Sequence, residues 1–194
     1  MSRTQYYCAS SLDGYIAEAD DTLAWLMEYD GSFEGDGAEP GPMGDGSAYE
    51  RFYDGVGALI SGATTYEFVL DHLDDDSGWP YKGKPYWVLS SRDLRVPEGE
   101  QIDVRIVNAE VADLHDELLA AAGERNLWIV GGGNVASQFA DQGLLDELTV
   151  TVVPVVLGDG KPLFDRRLPG GPMQLAGTRT FSSGMVELRY EISR

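Results

Sequence analysis

Three consecutive glycines, Gly131, Gly132 and Gly133, follow an apolar run at 127–130 and precede a helical stretch at 135–142. Glycine lets a backbone pass close to a ligand, and the free N–H groups at a helix start, together with its positive dipole end, suit a phosphate. The same triplet also makes a plain tight connection between a strand and a helix, so by itself it leaves both readings open. A second junction of this kind occurs at Gly62, between a short apolar strand at 58–61 and a helix at 63–70 that begins at a threonine cap.

Other residues with chemical capacity are few. His115 falls among acids on the polar side of a helix and His72 opens the acidic loop 71–76, so both read as solvated. No paired His or Cys pattern supports a metal site, and no G-x-S-x-G elbow supports a hydrolase. Cys8, the single cysteine, lies in an apolar first strand and reads as a buried, inert thiol.

The elements that position these residues alternate between strands and helices. Strands are expected at 5–10, 58–61, 85–89, 104–107, 127–130 and 148–157, the last broken by Pro154. A helix from Ser47, with Glu50 completing a capping box, presents Tyr49, Phe52 and Tyr53. Another at 111–122 places Val111, Leu114, Leu118 and Leu119 on one side. A hairpin joins 175–181 to 185–192. Residues 18–46 read as a long acidic loop at the mouth of a pocket, anchored by Trp25, Leu26, Met27 and Phe33. The pattern is α/β with an antiparallel end, on one domain spanning 1–194.

Charge narrows the function classes. Acids number 33 against 14 bases, for a net charge of -19, and no Lys or Arg lies between Arg3 and Arg51. Such a field repels polyanions, which argues against nucleic-acid partners and anionic membrane surfaces. An anionic ligand must be held by later residues or by backbone amides. With no leader-like N-terminus and no membrane-length apolar run, the expected location is cytoplasmic.

A Rossmann site is disfavoured, because the triplet lacks G-x-G-x-x-G spacing, lies late in the chain and has no acidic residue at the end of a following strand. Five motifs taken in order, at 11–17, 62–67, 89–91, 130–133 and 154–164, instead resemble the dihydrofolate reductase fold. Within it, they resemble the reductase domain of the riboflavin-biosynthesis deaminase-reductases. The resemblance implies a mixed, mostly parallel central sheet with helices on both faces and a C-terminal antiparallel hairpin. It implies an NADPH-dependent reductase acting on a small pteridine- or pyrimidine-like heterocycle or a carbonyl compound.

The same resemblance implies site residues. Ala9, Ile16 and Ala17 would lie beside the nicotinamide. Gly62, Thr64 and Thr65 would meet the diphosphate from one helix start, and Val130, Gly131, Gly132, Gly133, Asn134 and Val135 from the other. Ser90, Ser91 and Arg92 would take the 2′-phosphate. A proton source is needed for hydride transfer, and Asp45, just ahead of the helix at 47, and Asp13, in the Asp-Gly turn, are the candidates, each also readable as a turn residue. Trp25, Tyr49 and Phe52 are candidates for lining the substrate, with core packing as the alternative. A homodimer through sheet edges is the expected assembly. A flavin or deazaflavin reductase on the same fold, and a ligand-binding protein without chemistry, are the rival readings.

Overall fold

Alternation along the central strands sends adjacent large side chains to opposite sides of one sheet, and helices cover both sides. The computed structural model describes residues 2–27, 29, 48–73 and 78–193. The strands are β1 (Thr4–Ser11), β2 (Tyr15–Ala17), β3 (Val56–Gly62), β4 (Pro85–Leu89), β5 (Asp103–Val107), β6 (Asn126–Gly131), β7 (Glu147–Val153), β8 (Lys161–Pro162), β9 (Gln174–Thr180) and β10 (Val186–Glu191). The helices are α1 (Ala24–Met27), α2 (Ala48–Asp54), α3 (Ala63–Asp71), α4 (Val111–Ala122) and α5 (Gly133–Asp141).

Eight strands form one sheet in the order β5-β4-β3-β6-β1-β7-β10-β9, while β2 and β8 make a separate ribbon. Every pairing from β5 through β7 is parallel, and β10 runs antiparallel to both β7 and β9. The mostly parallel sheet with its C-terminal hairpin is therefore as expected. Interior strands such as β3 are buried along nearly their whole length because both faces are covered.

On one face Tyr6, Ile60, Trp87 and Ile129 pack against Leu118 of α4 and Phe139 of α5. On the other, Tyr7, Leu59, Tyr86 and Trp128 pack with Tyr66 of α3 and with Phe52 and Tyr53 of α2. Each fully buried side chain of this size contributes roughly 1.5–3 kcal/mol. Spacings of three and four put Val111, Leu114, Leu118 and Ala122 on the buried stripe of α4. The close of α4 touches the sheet at Gly57, where a methyl group would stand 2.1 Å from Ala122 O.

Several local expectations change. The cap of α3 is Gly62, with no side-chain hydrogen bond, because the helix begins at Ala63, two residues earlier than a cap at Thr64 would allow. β7 stops at Val153, since Pro154 has no N–H to extend the ladder. His115 is buried rather than solvated: its Nε2 lies 2.9 Å from Thr4 Oγ1, and its ring meets Phe139 edge-on. Ser47 and Phe33 lie outside the described residues.

Candidate functional site

β3 and β6 are neighbours, and each passes into a helix at its C-terminal end. A register shift between Ile60 and Ser61 pairs Ser61 with Gly131, so Val130 is an extra residue on β6. A bulge of this kind re-aims the chain, here immediately before the glycine turn. Gly132 then caps α5 at φ 90, a conformation that suits glycine and strains other residues. The two junctions are in contact. A methyl group on Gly131 would stand 2.9 Å from Thr65 Cγ2, and one on Gly62 would stand 3.3 Å from Val135 Cγ2.

Both helix starts border a cleft of about 850 Å³. Thr64, Thr65 and Phe68 of α3 form one wall, Gly131, Gly132, Gly133 and Asn134 another, and Ile16 and Ala17 of β2 a third. Tyr7, Ala9, Trp128, Val130 and Thr151 contribute the sheet floor. First-turn N–H groups of a helix have no partner within it, so two sets of donors edge one mostly apolar hollow.

The polar groups of the cleft are distinctly placed. Thr151 Oγ1 is buried and has no well-formed hydrogen bond to the described residues. Tyr7 OH donates to Glu187 Oε2 at 3.3 Å, and burial first, then the Glu187 charge, pushes its pKa up. Cys8 is half-buried and lines the cleft, a correction to its expected burial, while desolvation pushes its thiol up to about 12, which keeps it protonated. Asp165 accepts from Asn134 Nδ2 at 2.6 Å and is clasped by Arg166, whose hydrogen bond above all holds its carboxyl well below the usual range. Lys161 Nζ lies 3.3 Å from Asp21 Oδ2 across the rim. Among the described residues no cluster of His, Cys, Asp and Glu could hold a metal ion, and no helix is long and apolar enough to cross a membrane.

Comparison with known proteins places this geometry. The family model of the RibD C-terminal domain matches residues 5–187. The chain belongs to the RibD C-terminal domain family. YwjB of Bacillus subtilis (strain 168), an uncharacterised protein, is 33% identical over 97% of each chain. Among solved structures, a Shewanella sp. PV-4 protein assigned to riboflavin biosynthesis superposes with a TM-score of 0.78, at 29% identity over 99% of both chains. Dihydrofolate reductase from Enterococcus faecalis, solved with NADP(H), shares the fold, with a TM-score of 0.53 at 15% identity over 97% of this chain and 94% of that one.

In this chain the cleft brings together Ala9, Ile16, Ala17, Thr64, Thr65, Val130, Gly131, Gly132, Gly133, Asn134 and Tyr49. Gly62 and Val135 stand behind the junction rather than on the wall, and Val135 is buried. Ser90, Ser91 and Arg92 lie off the cleft wall. Ser90 Oγ accepts from Arg92 N, and the Arg92 guanidinium is engaged by Glu67.

Trp25 and Phe52 are also off the cleft wall. Trp25 packs with Val153, Phe181 and Met185, and Phe52 lies against Tyr7 and Trp128. Asp13 sits outside the cleft and accepts from Ser11 Oγ, Leu157 N and Gly158 N, so it braces one turn against another. Asp45 lies outside the described residues.

Lys161 and Thr151 were missed by sequence reasoning. Polar threonines at 149 and 151, alternating with Leu148, Val150 and Val152, were an available signal for Thr151. Lys161 carried no comparable signal, because the pairing of β8 with β2 is non-local.

Proposed function

We propose that this member of the RibD C-terminal domain family is an NADPH-dependent oxidoreductase. In this reading it transfers hydride to a small pteridine- or pyrimidine-like heterocycle or a related carbonyl compound. The observation that carries it is the meeting of two helix starts, through Gly131 and Thr65, at the edge of one apolar cleft. A dinucleotide needs both features: donors for a diphosphate without a cationic cluster, and an apolar slot for a flat ring. That requirement suits a chain of net charge -19.

The residues present fit such a cofactor. Thr64, Thr65 and the backbone of Gly131, Gly132 and Gly133 would hold the diphosphate, with Gly62, Asn134 and Val135 shaping the two turns. Ala9, Ile16 and Ala17 would flank the nicotinamide, which supplies the hydride when bound. Ser90, Ser91 and Arg92 would take the 2′-phosphate, Arg92 leaving Glu67 to do so. Thr151 Oγ1, buried beside the Tyr7 hydroxyl, offers the polar edge of a substrate a hydroxyl, and Tyr49 supplies an aromatic wall. A buried hydroxyl without a well-formed hydrogen bond costs up to about 1–3 kcal/mol, a cost a ligand can reduce.

Fluorescence titration tests the reading, because Trp128 lines the cleft and reports its occupancy. Saturable quenching by NADPH is expected. No quenching by NADPH or NADH at millimolar concentration overturns the reading, and saturation by a flavin alone transfers the chemistry to a flavin reductase.

A further inference from the structure

We propose that Lys161 grips the diphosphate of the dinucleotide, and that Asp21 holds this lysine at the rim until the ligand arrives. The inference rests on the reading above that the cleft takes a nicotinamide dinucleotide. Lys161 is the only lysine or arginine among the described residues that line the cleft. In a chain with 33 acids and 14 bases, a single cation at an anion's entry point has an outsized effect on the local field.

Packing determines where Lys161 sits. In the β2–β8 ribbon it pairs with Ala17, which also lines the cleft. The next residue lies against the start of α5, so closely that a methyl group on Gly133 would stand 2.5 Å from Pro162 O. The backbone of Lys161 is therefore beside the glycine turn, and its flexible side chain has a short reach to any anion held there.

That side chain is turned to Asp21, Nζ to Oδ2 3.3 Å, with each partner 44% exposed. Asp21 is offered by a braced turn. Its φ is 69, its N–H donates to Glu18 O at 3.0 Å, and Thr22 Oγ1 donates to Asp20 Oδ1 at 2.8 Å. An exposed pair of this kind is weak, on the order of 1 kcal/mol or less, so diphosphate oxygens backed by two helix starts can displace the carboxylate. Binding then exchanges one ion partner for another and leaves Asp21 as a like charge near the ligand.

The two variants of the pair separate this idea from a merely structural latch. Lys161→Gln is expected to weaken NADPH binding about tenfold, the scale of one charge-assisted hydrogen bond. Asp21→Asn is expected to tighten it by about threefold, by freeing the lysine and removing a screened repulsion. Lys161→Arg should retain wild-type affinity, and the salt dependence of binding should be shallower in Lys161→Gln than in the wild type. Weakening in both Lys161→Gln and Asp21→Asn, or an unchanged affinity in Lys161→Gln, overturns the inference while leaving the reductase reading standing. Absence of binding by wild type and variants alike overturns that reading, and this inference with it.

Discussion

Arg92 is clasped by Glu67 in a two-point ion pair, Nη1 to Oε1 at 3.0 Å and Nη2 to Oε2 at 2.6 Å. Glu67 belongs to α3, the helix whose start borders the cleft, so a carboxylate already occupies the cation proposed for the 2′-phosphate. Glu67→Gln is expected to raise NADPH affinity relative to NADH by about two- to fivefold, the range for an exposed charge pair with good geometry. Paired titrations with the two nucleotides measure this ratio. An unchanged ratio would remove Arg92 from the 2′-phosphate site.

Thr151→Val keeps the shape of the side chain and deletes the buried hydroxyl. Stability is expected to hold within about 1 kcal/mol, since the hydroxyl makes no well-formed internal hydrogen bond. Affinity for the accepted substrate should fall about tenfold, with NADPH affinity unchanged. Denaturant unfolding and steady-state KM values read the two effects separately. A fall in stability without a change in KM would assign Thr151 to the core instead.

Asp13 provides a pH test with a defined sign. Hydrogen bonds from Ser11 first, then from the backbone of Gly158 and Leu157, lower its pKa from 3.8 to about 2. The carboxylate is thus favoured in the folded state. Its contribution is complete above the ordinary value and is lost as pH falls from about 4 through 2. Amide exchange at Leu157 and Gly158, corrected for intrinsic rates, should therefore accelerate as the pH drops through that window. Asp13→Asn should show the faster exchange at neutral pH and little further change on acidification.

Gly131 and Thr65 form a pair whose coupling can be measured. Gly131→Ala is expected to cost about 1–3 kcal/mol by overpacking against Thr65 and to weaken NADPH. Adding Thr65→Ala removes the clashing atoms and should restore much of the stability, but not the binding, because the threonine hydroxyl is then gone. A double variant that recovers affinity as well would show that the diphosphate lies elsewhere.

Much of this was legible in the sequence for a physical reason. Strand alternation, glycine at strand-to-helix turns and the buried stripe of α4 are local patterns, and local patterns survive into the fold. The glycine triplet was readable because its neighbours on both sides declared a strand and a helix. What escaped reading was decided by partners distant in sequence. Arg92 reads as a free cation until Glu67 is seen beside it. His115 reads as solvated until Thr4, on β1, is brought against it. The β8 pairing that seats Lys161 and the slipped register that frees Val130 likewise arise between separate segments.

The place of β1 has a consequence for how the chain folds. Thr4 pairs with Leu127 and Gln5 with Glu147, so the earliest strand occupies a slot bounded by two of the later ones. Closing such long loops before any contact is gained makes folding slow, and β1 cannot be seated on both sides until β6 and β7 have been synthesised. Until then Tyr6 and Tyr7 have no core to enter. Ala9 joins the cleft in that same step, which makes nucleotide binding a usable clock for refolding: quenching of Trp128 by NADPH should appear only with the slowest folding phase.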